Sequence, residues 1–143
     1  MREKEFAGKK YQGKDGSVIY YGENKDFIWY QSDDCHDDNY YRGTYEFYFA
    51  EQALEYIVNS LSQFGVTKEK MEAYFERNSG NEFYNLENYC CMVLHNEELM
   101  MNGECRHVTP NESYYMGFYA NGYLDAANMQ TGNYALFTRV DEK

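Results

Sequence analysis

The sequence has almost no proline, little cysteine and no long hydrophobic run. Its 143 residues include one proline and 11 glycines, which excludes a collagen-like or proline-rich linker protein. No stretch reaches the ~20 apolar residues of a membrane span, and the first residues lack the apolar segment of a signal peptide. We therefore expect a cytoplasmic protein, or a secreted or anchored one if a leader has been removed.

The sequence also has few basic residues, and they form no Lys/Arg-rich block. There are 24 acidic against 13 basic side chains, and the formal net charge is −11. Direct binding to nucleic acid or to an anionic membrane surface depends on neutralising phosphates, so neither is expected. An acidic chain of this kind is expected to be soluble and to be able to meet a basic partner.

Catalytic motifs are missing as well. The histidines are His36, His95 and His107, and no G-x-S-x-G, H-E-x-x-H or Gly-rich phosphate loop is present. No catalytic residue and no cofactor are therefore assigned. Two carboxylates beside a cleft could still perform glycosidase-type hydrolysis, so a carboxylate-based hydrolase is kept as a second alternative function.

Aromatic residues are abundant, and turn signals separate them into short segments. The chain contains 17 tyrosines and 9 phenylalanines. Asp15-Gly16, Asn102-Gly103 and Asn121-Gly122 are typical of tight β-hairpin turns. Between such turns the side chains alternate, as when Tyr45 and Phe47 share one face of a strand. The first and last thirds of the chain are therefore predicted to be antiparallel strands.

The middle third has a helical period instead. In "AEQALEYIVNSLSQF", residues 50–64, apolar side chains recur at intervals of three and four. Gly65 is the residue type expected just after a helix, and Thr67 is a suitable N-cap for a second helix. We predict a helical hairpin over about residues 50–78.

These segments define one mainly β (α+β) domain over residues 1–143. About eight or nine strands are predicted, roughly four of them before the helical hairpin. A sheet of that size must hide its apolar faces and its edges, so we predict a closed barrel of about eight antiparallel strands with an inserted helical hairpin. The alternative is an open sheet with both helices packed across one face.

The opening "GKKYQGKDGSVIYYGENKDFIWYQ", residues 8–31, resembles the start of small lipocalin-like barrels. The segments "DNYYRGTYEFYF", "YYMGFY" and "YLDAANMQTGNY" are similar to parts of uncharacterised bacterial proteins. The resemblance implies a calycin-type barrel with a ligand cavity or a partner surface, and no catalytic residues. The helical hairpin lies mid-chain rather than at the end, which departs from the standard lipocalin pattern.

The aromatic residues allow two interpretations. They could line a barrel mouth and stack against a flat ligand, with tyrosine hydroxyls as polar anchors. Alternatively, the same side chains fill a packed barrel, which would then act through its outer surface. The candidate ligand-binding residues are Trp29, Tyr45, Phe47, Tyr114, Phe118 and Tyr134.

The stretch "QSDDCHDDNYY", residues 31–41, concentrates acidic and metal-ligating side chains. Its aspartates, Asp33, Asp34, Asp37 and Asp38, do not have the spacing of a calcium loop. We predict an exposed, acidic connection between strands that binds no metal. The alternative is a Cys₂His₂ zinc set in which Cys35 and His36 join Cys105 and His107.

The function expected from these features is non-catalytic binding. The partner is either a small apolar or aromatic ligand in the barrel or a protein on its surface. The alternative is an acidic inhibitor that mimics nucleic acid, with the aspartates of residues 33–38 in the face that occupies the groove of a basic nuclease or regulator.

Overall fold

A computed structural model describes residues 5–31, 39–106 and 112–140 of the chain. Within these ranges there are nine strands and two α-helices. The strands are β1 (Lys9–Gly13), β2 (Val18–Tyr21), β3 (Asp26–Tyr30), β4 (Asn39–Phe49), β5 (Tyr89–Met101), β6 (Glu104–Arg106), β7 (Glu112–Ala120), β8 (Tyr123–Asn128) and β9 (Tyr134–Val140). The helices, α1 (Ala50–Ser60) and α2 (Lys68–Arg77), lie between β4 and β5.

Eight of the strands form a closed antiparallel barrel, and strand makes up 51% of the described residues. Each of β1 to β5 pairs with the next along the chain, β5 pairs with β7, and β7, β8 and β9 follow in order. Pairing of β9 with β1 closes the ring, with Lys10 opposite Val140. β6 lies outside the ring and extends a hairpin from the end of β5. The closed barrel is confirmed over the open-sheet alternative.

The barrel interior is filled mainly by alternate side chains of its eight strands. Tyr45 and Phe47 point inward from β4, and Phe27 points inward from β3. Because the side-chain period of a strand is two, the residues between them point outward. The buried interior cluster comprises Phe6, Tyr11, Ile19, Tyr21, Phe27, Tyr45, Phe47, Cys90, Met92, Leu94, Tyr115, Tyr119, Leu124, Ala126 and Phe137.

Phe6 closes one end of the barrel. The residue lies in the short segment before β1 and is fully buried. Its ring centroid lies 3.9 Å from that of Phe47 and 4.6 Å from that of Tyr119. Phe49, the last residue of β4, is also stacked near it, at 6.1 Å. Aromatic rings therefore fill this end and leave the opposite end for a cavity.

The helical hairpin covers part of the outer face of the barrel. Ala53, Leu54 and Ile57 of α1 are buried in a second apolar cluster that includes Cys91 and Val93 of β5. α2 begins as expected, because the Thr67 side chain accepts a hydrogen bond from the backbone N–H of Lys70. Neither described helix is long and apolar enough to cross a membrane.

Candidate ligand cavity at the open end of the barrel

A cavity of about 450 Å³ opens at the end of the barrel opposite Phe6. It lies where β4 begins and β8 ends, and it is bounded by the turns that follow β1 and β8. Small-molecule sites in proteins typically measure about 300–1,000 Å³. The cavity is therefore large enough for one small ligand.

One side of the cavity is aromatic and is organised around Trp29. The Trp29 ring centroid lies 5.5 Å from that of Phe137 and 6.1 Å from those of Tyr41 and Tyr115. Trp29 and Tyr41 are directly opposite each other on β3 and β4, which fixes their contact. Edge-to-face and tilted rings of this kind favour a flat partner, because ring quadrupoles attract offset or perpendicular rings.

The other side of the cavity carries neutral polar groups. Asn96 is 4% exposed, and its Nδ2 donates to Ser113 Oγ at 3.0 Å. Asn128 Oδ1 accepts from the backbone N–H groups of Gln130 and Thr131, which holds this side chain in place. Fixed amides and hydroxyls are the groups that orient a ligand in a mostly apolar pocket.

Tyr115 supplies a phenol to the cavity that stays neutral. Burial raises the pKa of Tyr115, and the hydrogen bond with Asn128 only partly opposes this. Among the described residues, the charged ones that line the cavity are Lys14 and Asp15, which belong to the turn between β1 and β2. Asp15 is engaged there, since its Oδ1 accepts from the backbone N–H and the hydroxyl of Ser17.

The indole N–H of Trp29 is buried and has no hydrogen-bond partner within the described part of the chain. Leaving a buried donor unpaired costs about 1–3 kcal/mol. A ligand acceptor in the cavity would remove that cost. The same side chain thus offers a flat apolar surface and one unused donor.

The predicted ligand-binding residues divide among four places. Trp29 lines the cavity, whereas Tyr45 and Phe47 lie deeper, in the packed interior. Tyr134 is 78% exposed at the rim. Tyr114 and Phe118 were expected at the barrel mouth but point outward, into the cluster beneath the helices.

The residues that face the cavity from β7 are the alternate ones, Ser113 and Tyr115. Both faces of this strand are rich in aromatic side chains. Alternation therefore shows which side chains share a face, but it does not indicate which face is inside the barrel. Tyr41, Phe137 and Asn96 were also missed. A polar Asn96 after the apolar run of β5 is the signal that could have indicated the mouth of the barrel.

Most of the acidic stretch of residues 31–41 falls in the gap between residues 31 and 39. Asp33, Asp34, Asp37 and Asp38, with Cys35, His36 and His107, lie outside the described residues. The exposed connection, the nucleic-acid mimic and the Cys₂His₂ set remain predictions. Cys105 is described and is exposed on β6. Among described residues, no group of three or more His, Cys, Asp or Glu side chains could hold a metal ion.

A carboxylate and a histidine do meet on the outer surface of the barrel. His95 Nε2 lies 2.6 Å from Glu46 Oε2, across β4 and β5. This hydrogen bond, with a second from Tyr48, lowers the pKa of Glu46 despite partial burial. A glycosidase acid needs a raised pKa. The pair therefore has the wrong electrostatics for the acid of the hydrolase alternative.

The fold and the cavity define the class of the protein as a closed antiparallel eight-stranded barrel with a pocket at one mouth. In comparisons with known proteins, no family model matches the chain, and no curated protein or solved structure matches it either.

Proposed function

We propose that the protein is a non-catalytic, lipocalin-like binding protein that takes a small, flat, partly aromatic molecule into the cavity at the open end of its barrel. The observation that carries the proposal is Trp29, which lies among three aromatic rings in that cavity and whose indole N–H has no hydrogen-bond partner among the described residues. In a fully packed barrel, the buried indole N–H would be expected to have a hydrogen-bond partner.

The lining of the cavity indicates the chemistry of the ligand. Its inner groups, Asn96, Ser113 and Tyr115, carry no charge, so a neutral ligand loses least on leaving water. Trp29 requires a hydrogen-bond acceptor, such as a carbonyl oxygen, beside the ring that it contacts. We therefore favour a neutral aromatic ketone, amide or related molecule.

Nuclear magnetic resonance of Trp29 provides a direct test. The chain has one tryptophan, so its spectrum contains one indole N–H signal, which reports on this cavity. The probes are 2-acetylnaphthalene and 2-ethylnaphthalene, which differ mainly in the carbonyl acceptor. The ketone is expected to shift the indole signal strongly and to bind about threefold to tenfold more tightly, as one neutral hydrogen bond predicts.

A cavity-filling variant provides the control. Ala135 lines the cavity and is partly buried, so Ala135→Leu should weaken both probes without removing any contact group. Ala120→Leu is the matched substitution, because Ala120 lies on the outer face of the barrel wall and at the end away from the cavity. If neither probe shifts the Trp29 signal, or if both variants bind like the original protein, the proposal is wrong.

Salt separates this proposal from the nucleic-acid mimic. Attraction between the acidic chain and a basic partner would weaken steeply as ionic strength rises. Binding of a neutral ligand in the cavity should change little between about 0.05 and 0.5 M salt, because Debye screening acts on charges.

A further inference from the structure

A second cavity of about 380 Å³ lies outside the barrel, between α2 and the outer faces of β7 and β8. Its lining combines aromatic rings with one carboxylate. The lining includes Tyr74, Tyr84, Tyr89, Phe118, Asp125 and Tyr134. We call this region the outer groove.

Phe118 is the centre of the rings in the outer groove. Tyr74, from α2, stacks on it with a centroid distance of 5.9 Å and an interplanar angle of 23°. Tyr84 meets it edge-on at 5.3 Å. Tyr134 adds an exposed ring at the side. Several ring faces and edges thus surround one small volume.

Asp125 places a negative charge beside these rings. Tyr84 Oη donates to Asp125 Oδ2 at 2.9 Å. Within the described part of the chain, Asp125 forms no ion pair. Burial and then the charge of Asp125 raise the pKa of Tyr74, and Arg77 opposes this shift. The hydrogen bond with Asp125 is the main cause of the raised pKa of Tyr84. A carboxylate that accepts one phenol hydrogen bond still has free lone pairs for a cation.

Tyr89 supplies a separate indication of a ligand. The side chain is fully buried and lines the outer groove, and its hydroxyl has no hydrogen-bond partner among the described residues. Burial raises the pKa of Tyr89 well above its usual range, so the hydroxyl stays protonated and can donate or accept. A buried hydroxyl without a partner is uncommon and suggests that the groove receives a polar group.

We infer that the outer groove binds a small organic cation of the alkylammonium class, with its charge against the rings of Tyr74 and Tyr134 and beside Asp125. Aromatic faces attract cations because the ring quadrupole is negative there, and quaternary ammonium groups are bound in this way. A hydroxyl on the ligand would pair with Tyr89. The inference does not rest on the proposed function, because Trp29 is not part of this groove, although Tyr134 borders both cavities.

The test compares choline with 3,3-dimethylbutan-1-ol, its neutral analogue of the same shape. Methyl-labelled methionine gives the readout, since Met71 and Met116 line the groove and Met92 is buried inside the barrel. Choline is expected to shift the first two signals, and the alcohol to bind at least about fivefold more weakly. The Met92 and Trp29 signals should not move.

Substitutions then isolate the charge and the hydroxyl. Asp125→Asn keeps an acceptor for Tyr84 and should weaken choline binding about tenfold, while binding of the alcohol stays unchanged. Glu55→Gln removes one negative charge from an exposed site on α1 and should affect the binding of neither probe. Tyr89→Phe should weaken both probes alike, because both carry a hydroxyl. An unshifted Met92 signal verifies folding. Equal binding of choline and the alcohol, or no response at Met71 and Met116, would overturn the inference.

Discussion

The hydroxyl oxygens of Tyr11 and Tyr119 lie 2.8 Å apart inside the barrel, although 108 positions separate the two residues in the chain. Tyr11 Oη also donates to the backbone carbonyl of Glu5 at 2.8 Å. Phe6 stacks on the Tyr11 ring at 5.0 Å. The segment before β1 is thereby fixed to β1 and, through the tyrosine pair, to β7.

Tyr11→Phe should destabilise the protein by about 1–3 kcal/mol, because it removes the hydrogen bonds that the Tyr11 hydroxyl forms with Tyr119 and with the Glu5 carbonyl. The measurement is urea unfolding, followed by far-ultraviolet circular dichroism. Tyr123→Phe, at a partly exposed site on the outer surface, is the control and should cost little. An equal effect of the two substitutions would contradict a structural role for the tyrosine pair.

Alkaline pH should unfold the protein through its buried tyrosines. Burial raises the pKa of Tyr11, Tyr21 and Tyr89 well above the ordinary value, and that of Tyr56 to about 12. Above about pH 10 the unfolded chain releases these protons and the folded chain keeps them, so stability is complete below pH 10 and falls as pH rises. Absorbance at 295 nm should show one group of tyrosines titrating normally and a second ionising only with unfolding. A single transition near pH 10, with the fold intact, would refute this.

Phe6→Ala should open the closed end of the barrel. Removal of a fully buried phenylalanine costs about 3–5 kcal/mol, part of which reflects the cavity that remains. Because that cavity would be apolar, benzene should raise the melting temperature of the variant and not that of the original protein. If benzene has no effect on the variant, the surrounding rings of Phe47 and Tyr119 have collapsed into the space.

Gly43→Ala should be poorly tolerated. Gly43 lies at a β-bulge between β4 and β5, where the register shifts after Arg42. A Cβ atom at this position would collide with the His95 carbonyl oxygen and would lie 2.9 Å from the Glu97 nitrogen. Because both neighbours are backbone, we expect a loss of about 1–3 kcal/mol in chemical unfolding. Gly80→Ala, where a Cβ meets nothing within 4 Å, is the control.

Local patterns were sufficient to predict the elements of the fold. Thr67 caps α2 as the sequence indicated. The left-handed Gly65, with φ of 77°, ends a short 3₁₀ helix (Ser62–Phe64) rather than α1, which stops earlier, at Ser60. Tyr45 and Phe47 share the inner face of β4 as their alternation required. These features depend on neighbours within a few residues, which a single sequence displays directly.

The cavity could not be predicted in the same way, because it depends on contacts between distant strands. Asn96 meets Ser113, and Trp29 meets Phe137, only after register and barrel closure are fixed. On β7, Tyr114 and Tyr115 are the same residue type, so the sequence does not distinguish the inner from the outer side chain. The helices cover the Tyr114 face, which leaves Tyr115 to the interior.

The pairing of β1 with β9 joins the first and last described strands into one ring. If β9 separated, both β1 and β8 would expose a row of unpaired backbone groups that could recruit another chain. The loop that this pairing closes spans nearly the whole chain, so closing it directly costs much conformational entropy. That cost becomes smaller once the intervening hairpins have formed. Closure is therefore expected late in folding, and protection from edge-to-edge aggregation arrives with it in one step.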